Sequence, residues 1–314
     1  MIISASRRTD IPAFYPEWFM NRLREKTVMV PNPYNRRRIT RIRLSPDTVD
    51  CIVFWTKNPE PLIPYLKEID NMGYRYCFQM TITDYEKDLE PGVPCTEDSI
   101  ATFLLLSEMI GPERIDWRFD PVLLSEKYSL AYHEERFDTM CQWLHTATGR
   151  CIISFIDAYR EARYPELEAE QIEKAAASLS KVAQKYRLPL YTCAEKTDLS
   201  SYGIGHGACI DKDRIKNVTG YKLDVKKDTG QRPQCMCAQS IDIGMYDTCI
   251  GGCKYCYATG GADNVKKRYG QHDPLSPLLS GRPKGDEVIV EKTLHSNMDC
   301  QISLFDLPEM GLNF

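Results

Sequence analysis

The fold is decided by residues 51–83, which read CIVFWTKNPEPLIPYLKEIDNMGYRYCFQMTIT. Two runs in this stretch, at 51–56 and 74–83, have the length and the β-branched and aromatic content of buried strands. Between them, residues 59–72 follow a helical pattern that ends before Gly73. A strand, a helix and a second strand in this order predict a parallel βαβ unit.

The same alternation of strands and helices extends in both directions from this unit. Further strands are predicted at 2–6, 115–124, 151–157 and 188–194, and further helices at 16–26, 97–110, 136–148 and 166–186. No glycine-rich phosphate fingerprint follows an early strand, which argues against a doubly wound sheet. We therefore predict an α/β fold with a complete or partial TIM-like β/α barrel.

Three regions are expected within this fold. Residues 1–196 should supply the β/α barrel units, and the irregular, cysteine-rich residues 197–272 should complete the barrel and bind a cluster. Residues 273–314 should form a C-terminal tail that either docks on the barrel or stays mobile.

The composition limits the classes of function. With 43% hydrophobic residues among 314 and a formal charge of -4, the chain can build a large core, and it lacks the overall basic charge that attracts nucleic acid or anionic membranes. It contains no run of about 18 apolar residues, the minimum for a membrane span. Its start, Met1 to Arg8, lacks a signal-peptide pattern, so we expect a cytoplasmic protein.

Cysteine is the most informative residue type in this chain. Seven of the thirteen cysteines lie between positions 193 and 256, and in a reducing cytosol such clustering indicates metal or redox chemistry. The cysteines that lie in apolar runs are instead predicted to pack as small core residues. They are Cys51, Cys77, Cys141 and Cys151.

The segment from Asp247 to Ala258 reads DTCIGGCKYCYA and places Cys249, Cys253 and Cys256 on one short glycine-containing loop. Iron–sulfur clusters need thiolates gathered at one point, and three ligands leave one iron open. A structural zinc site is the alternative interpretation, but zinc ribbons use pairs of Cys-x2-Cys units, which this spacing does not match.

This pattern of Cys-x3-Cys-x-aromatic-Cys, with Tyr255 as the aromatic residue, resembles the motif of the radical S-adenosylmethionine (SAM) superfamily. The resemblance implies a [4Fe-4S] cluster whose open iron chelates SAM, and reductive cleavage of SAM to a 5'-deoxyadenosyl radical. Superfamily members carry this loop after the first barrel strand, whereas here it follows about six βα units. A circular permutation would resolve the difference if the strand at 240–244 lies beside the strand at 2–6.

The whole chain also resembles a bacterial family of unknown function that has a C-terminal cysteine cluster of this kind. Short motifs show a weaker similarity to spore photoproduct lyase-like proteins. The segments that match the family are 4–12 (SASRRTDIP), 54–59 (FWTKNP), 118–121 (RFDP) and 240–258, and only TKNP and RFDP resemble the lyase-like proteins. Neither resemblance implies a particular substrate.

Polar residues at the predicted strand ends are candidates for ligand binding, because the carboxyl ends of barrel strands form the active-site rim. For SAM we expect the loop residues Tyr255, Tyr257, Gly260 and Gly261 and the rim residues Gln79, Thr81, Arg118 and Asp157. For a small-molecule or anionic substrate we expect Arg7, Arg8, Asp10 and Lys57. Several of these side chains could instead cap helices or form barrel salt bridges. An electron donor such as flavodoxin or ferredoxin is implied by the resemblance.

Four more cysteines precede the motif: Cys193, Cys209, Cys235 and Cys237. They could bind an auxiliary iron–sulfur cluster, with His206 replacing one thiolate, or be ordinary strand and loop thiols.

Two other functions stay open. Arg36, Arg37, Arg38, Arg41 and Arg43 on one predicted loop could contact nucleic acid, although a solvated basic loop is the simpler interpretation. The clusters could also serve an electron carrier or sensor without SAM chemistry.

Overall fold

The computed structural model of the protein describes residues 1–157 and 164–299. The strands are β1 (Ile2–Ala5), β2 (Thr27–Pro31), β3 (Arg38–Arg43), β4 (Cys51–Thr56), β5 (Tyr76–Thr81), β6 (Ile115–Val122), β7 (Cys151–Phe155), β8 (Leu190–Cys193), β9 (Gly205–Gly207), β10 (Ser240–Asp242) and β11 (Val288–Lys292). The helices are α1 (Ile11–Phe14), α2 (Pro16–Arg24), α3 (Leu66–Asn71), α4 (Thr96–Ile110), α5 (Leu130–Leu144), α6 (Ala169–Lys185), α7 (Lys212–Thr219) and α8 (Ala262–Tyr269).

Eight strands form one parallel sheet in the order β10-β1-β4-β5-β6-β7-β8-β9. β10 pairs with β1, with Ile2 opposite Ser240 and Ser4 opposite Asp242, as the permutation hypothesis required. The pairing ends at β10 and β9, so the strands of the described chain do not form a complete hydrogen-bonded ring. Just beyond these two edges, however, the Ala238 amide donates to the Ile210 carbonyl at 2.9 Å. The fold is thus an α/β fold with an eight-stranded parallel sheet.

The two faces of this sheet pack against different parts of the chain, because side chains alternate along each strand. Ile52 and Phe54 of β4 belong to the large apolar core on the helix side. Cys51 and Val53 of the same strand belong to a second core, which the segment from Ala208 to Ala238 completes on the opposite face. The segment expected to be irregular therefore covers one face of the sheet, and it contains β9 and α7.

Most predicted strands are confirmed within a few residues, but two helix predictions were wrong at their starts. The helix predicted from Pro59 begins at Leu66, after a 3-10 turn at Ile63–Tyr65. The helix predicted from Arg136 begins at Leu130, because the Ser129 side chain caps it by accepting from the Tyr132 amide. Apolar spacing alone located neither start.

The basic segment was also predicted wrongly as a loop throughout. Arg38–Arg43 is β3, which pairs antiparallel with β2 and parallel with β11 in a second, three-stranded sheet. Ile39 and Ile42 of β3 are buried, while Arg41 forms an ion pair with Glu291 and Arg43 with Asp47. The described part of the predicted tail thus supplies a strand to this sheet. The tail prediction for residues 300–314 lies outside the described residues.

The four cysteines assigned to the core are confirmed as buried: Cys51, Cys77, Cys141 and Cys151. None of the helices in the described chain has the length and the apolar character required to cross a bilayer.

Candidate functional site

The cysteine loop follows β10, and Asp242 at the end of β10 ties it to the end of β1. One Asp242 carboxylate oxygen accepts from the Ser6 hydroxyl (2.6 Å) and the Gly244 amide (3.0 Å). The other accepts from the Ser4 hydroxyl (2.9 Å) and the Arg7 amide (2.8 Å). Because β1 and β10 run parallel, this arrangement places the cysteine loop at the carboxyl edge of the sheet.

Backbone hydrogen bonds hold the cysteine loop at its neck and on its side. The Asp247 amide donates to the Ala258 carbonyl at 2.9 Å, which closes the neck. The loop after β5 holds the side, since the Gly92 amide donates to Gly251 and the Lys254 amide donates to Leu89. The loop is therefore fixed by elements that are distant in sequence.

The thiols of Cys249, Cys253 and Cys256 are half-buried and close enough to interact electrostatically with one another. Burial raises the pKa of all three thiols, that of Cys249 to about 12. Their Sγ atoms do not all lie within 4.8 Å of one another. Thiols on one tetrahedral ion would lie about 3.8 Å apart, so the three thiols are not arranged here as ligands of a single such ion.

Lys57, Glu90 and Tyr255 form a polar group beside this loop. The Lys57 ammonium donates to the nearly fully buried Glu90 carboxylate at 2.9 Å, and the Tyr255 hydroxyl donates to the same carboxylate oxygen. Burial works against the charge on Lys57, but the neighbouring Glu90 and Cys253 outweigh it and raise the pKa of the lysine. A cation is thus held next to the Cys253 thiol.

Replacement of Lys57 by Met should lower the free energy of unfolding by about 3 kcal/mol, because it leaves the Glu90 carboxylate buried without its cation. Urea denaturation of the apoprotein measures this loss. The double variant Lys57→Met with Glu90→Gln is the control, and it should be more stable than Lys57→Met alone. Equal stability of the single variant and the wild type would contradict the assignment.

The residues predicted to bind substrate lie at this edge, but not all present a free group. Arg7 stacks near the Trp55 ring (5.3 Å) and lies 3.9 Å from Asp228, and Arg8 stacks near Tyr246 (5.2 Å). Asp10 is occupied as the N-cap of α1: its carboxylate accepts from the amides of Ala13 and Lys57. The helix-capping alternative therefore describes Asp10 better than substrate binding does.

Among the residues predicted to bind SAM, Arg118 makes polar contacts with several neighbouring side chains. It donates to Asp120 and, at 2.7 Å, to the Cys209 thiol, and it lies 5.2 Å from the Trp55 ring on the same face of the sheet. Burial opposes its charge, but Cys209 and Asp120 outweigh the burial, and the pKa of Arg118 lies above its usual value.

The other residues predicted to bind SAM make different kinds of contact in the structure. Gln79 donates to the buried Asp116 at 2.6 Å, and Asp157 forms an ion pair with Arg232. The Tyr257 hydroxyl donates to the Arg7 carbonyl at 2.7 Å, and the Gly260 amide donates to Asp247 at 2.5 Å. Thr81 sits at the carboxyl end of β5, opposite Arg118, and Gly261 precedes α8 with a φ of 143°.

The four additional cysteines come together. The Sγ atoms of Cys193, Cys209 and Cys237 all lie within 4.8 Å of one another, and Cys235 interacts with the thiols of Cys193 and Cys237. The sequence left open a cluster site and ordinary strand and loop thiols, and the structure shows that the four side chains are neighbours. The exposed His206 ring is not part of this group of thiols, since it contacts the Gln234 carbonyl at 2.9 Å.

Two residues of the site were missed by the sequence analysis. Glu90 lies on the loop after β5, and no spacing in the sequence connects it with Lys57 or Tyr255. Asp242 was quoted within a matching segment but given no role. A carboxylate between two apolar residues, Ile241 and Ile243, was the available signal.

Comparisons with known proteins give a family and little else. No curated protein matches the chain. One solved structure that matches is that of a Bacteroides thetaiotaomicron VPI-5482 protein provisionally described as an alpha-L-fucosidase, at 12% identity over 72% of this chain and 84% of that one. The TM-score is 0.26, too low for any structural argument. A family model described as a domain of unknown function, DUF1848, matches residues 2–258, and the chain therefore belongs to that family.

Proposed function

We propose that this protein is a radical SAM enzyme in which Cys249, Cys253 and Cys256 hold a [4Fe-4S] cluster. The observation that carries the proposal is the placement of the three interacting thiols at the carboxyl edge of a parallel sheet, on a loop delivered by a strand beside β1. The eight-stranded parallel sheet, with β10 beside β1, supports the proposal because such enzymes use a partial β/α barrel and a permuted strand order would place the loop at its rim.

The donor set suits this cofactor. Three thiols on different parts of one loop, not all within 4.8 Å of one another, could each bind a different iron of a cubane. When bound, the reduced cluster would supply the electron that cleaves SAM. Deprotonation of thiols whose pKa is raised by burial would be coupled to metal binding, since only thiolates are ligands.

The surrounding residues have roles that follow from their contacts. Lys57 places a positive charge beside Cys253 and favours its thiolate, and Tyr255 anchors the loop through Glu90. Arg118 faces the same edge, but its planar fork already binds the Asp120 carboxylate, so it would orient the methionine end of SAM only by exchanging that partner. Arg7 and Arg8 flank the site and favour a substrate that is anionic or rich in acceptors.

Anaerobic reconstitution with iron and sulfide, reduction with dithionite, and assay for 5'-deoxyadenosine test this proposal. The wild type should bind about four irons per chain at this loop and cleave SAM. The variant in which Cys249, Cys253 and Cys256 are all replaced by Ala should lose both properties.

The matched control is Cys95→Ser, which removes an exposed thiol at the start of α4 without touching the loop. It should retain iron and activity. A fully loaded, reduced wild type that leaves SAM intact would overturn the proposal in favour of an electron carrier or sensor.

A further inference from the structure

Four cysteines outside the Cys249 loop converge on the face of the sheet that carries Cys51 and Val53. Cys193 ends β8, Cys209 lies two residues beyond β9, and Cys235 and Cys237 precede β10. Three of the thiols fall within 4.8 Å of one another, and the fourth, Cys235, interacts with two of them. Cys209, Cys235 and Cys237 are only 4%, 6% and 1% exposed.

The surroundings of these thiols are cationic. Arg118 donates to the Cys209 Sγ at 2.7 Å, and the Arg7 guanidinium lies within electrostatic reach of Cys237, Cys209 and Cys235. The Ile210 amide also donates to the Cys237 Sγ at 3.4 Å. The two guanidinium groups would offset part of the net negative charge of a divalent ion with four thiolates, although Arg118 also pairs with Asp120 and Arg7 lies 3.9 Å from Asp228. Such buried charge is tolerated only when it is paired in this way.

The spacing of the thiols distinguishes a single ion from a cluster. Zinc–sulfur bonds of about 2.3 Å in a tetrahedral site place the sulfurs about 3.8 Å apart. The Sγ atoms of Cys193, Cys209 and Cys237 lie within 4.8 Å of one another, near that spacing, and Cys235 would have to approach Cys209 to complete the set; the Sγ atoms of Cys249, Cys253 and Cys256 are not gathered as closely. The protein therefore contains two cysteine groups of different geometry.

We infer that Cys193, Cys209, Cys235 and Cys237 bind one tetrahedral metal ion, zinc, rather than an auxiliary iron–sulfur cluster. A site with four protein ligands has no open position, which indicates a structural role. The inference is independent of the proposed SAM chemistry, because it concerns other ligands.

The position of this ion defines what it would do. Its ligands come from β8, from the segment after β9 and from the segment before β10, so it joins the two open edges of the sheet. In the described chain these segments are otherwise connected by the hydrogen bond from Ala238 to Ile210, by the Cys237 contact and by the contact of His206 with Gln234. The ion would also fix Arg118, which contacts both Cys209 and Asp120.

Metal analysis of the purified full-length protein after treatment with EDTA tests the inference. The wild type should retain about one zinc per chain, and Cys209→Ser with Cys237→Ser should lose it. The triple variant of Cys249, Cys253 and Cys256 should keep the zinc while it loses the iron. Failure of the SAM proposal and failure of the zinc site thus give different results.

A second measurement uses the wild type and therefore does not depend on the folding of a variant. A thiol-specific mercurial added to the wild type should release the zinc, and replacement with Co²⁺ should give the intense visible bands of a tetrahedral thiolate site. Wild-type protein without zinc would overturn the inference. So would about eight irons per chain, of which the Cys209 and Cys237 variant loses half.

Discussion

Replacement of Asp242 by Ala should lower the free energy of unfolding by about 3 kcal/mol and prevent stable iron loading of the cysteine loop. The carboxylate accepts four hydrogen bonds, from Ser4, Ser6, Arg7 and Gly244. Its removal leaves the buried Ser4 and Ser6 hydroxyls without this acceptor, and each unsatisfied buried donor costs about 1–3 kcal/mol. The same change removes the hydrogen bonds through which the Asp242 side chain connects the end of β1 to the loop after β10.

Urea denaturation of the apoprotein gives the stability change, and iron analysis after reconstitution gives the loading. The control is Asp286→Ala, which removes an exposed carboxylate on the segment before β11 and should change neither value. Wild-type stability with normal iron content in Asp242→Ala would show that this carboxylate does not hold the loop.

Replacement of Gly92 by Ala should displace the cysteine loop and reduce its iron content by at least half. A Cβ at Gly92 would lie 2.7 Å from the Gly251 carbonyl oxygen and 3.0 Å from the Gly251 Cα. These are backbone atoms between Cys249 and Cys253, so the contact cannot be relieved by rotation of a side chain. Overpacking of this kind costs about 1–3 kcal/mol.

Gly230→Ala is the matched control, because its Cβ would meet only the Asp228 carboxylate, at 3.2 Å. Iron content after reconstitution and the free energy of unfolding should both stay near wild type in the control. Unchanged iron content in Gly92→Ala would mean that the loop can move away from residues 89–92 without losing its ligand geometry.

The parallel sheet could be predicted from sequence because its strands are continuous apolar runs separated by helices. The second sheet could not be predicted in the same way. In β3 only Ile39 and Ile42 are buried among four charged or polar residues, and its partner β11 lies about 250 residues away in the chain. Its other partner, β2, is near in sequence, but so few buried positions in β3 give local patterning little signal.

In the candidate site, too, some residues can be predicted from local spacing and others only from the fold. The candidate ligands Cys249, Cys253 and Cys256 lie on one loop, so their spacing alone was enough to propose them. Glu90 and Asp242 act through residues 33 to 238 positions away, and only the folded sheet shows those contacts. The four cysteines at 193–237 were visible in the sequence, but their convergence depends on how the two sheet edges approach each other.

The central claim is that the Cys249, Cys253 and Cys256 loop supports reductive cleavage of SAM, and one assay tests it most directly. Reconstituted, dithionite-reduced wild type is incubated anaerobically with SAM, and 5'-deoxyadenosine is measured beside the triple alanine variant and Cys95→Ser. The account predicts product from the wild type and Cys95→Ser and none from the triple variant. Equal product from all three proteins, or none from a wild type with a full, reduced cluster, would contradict it.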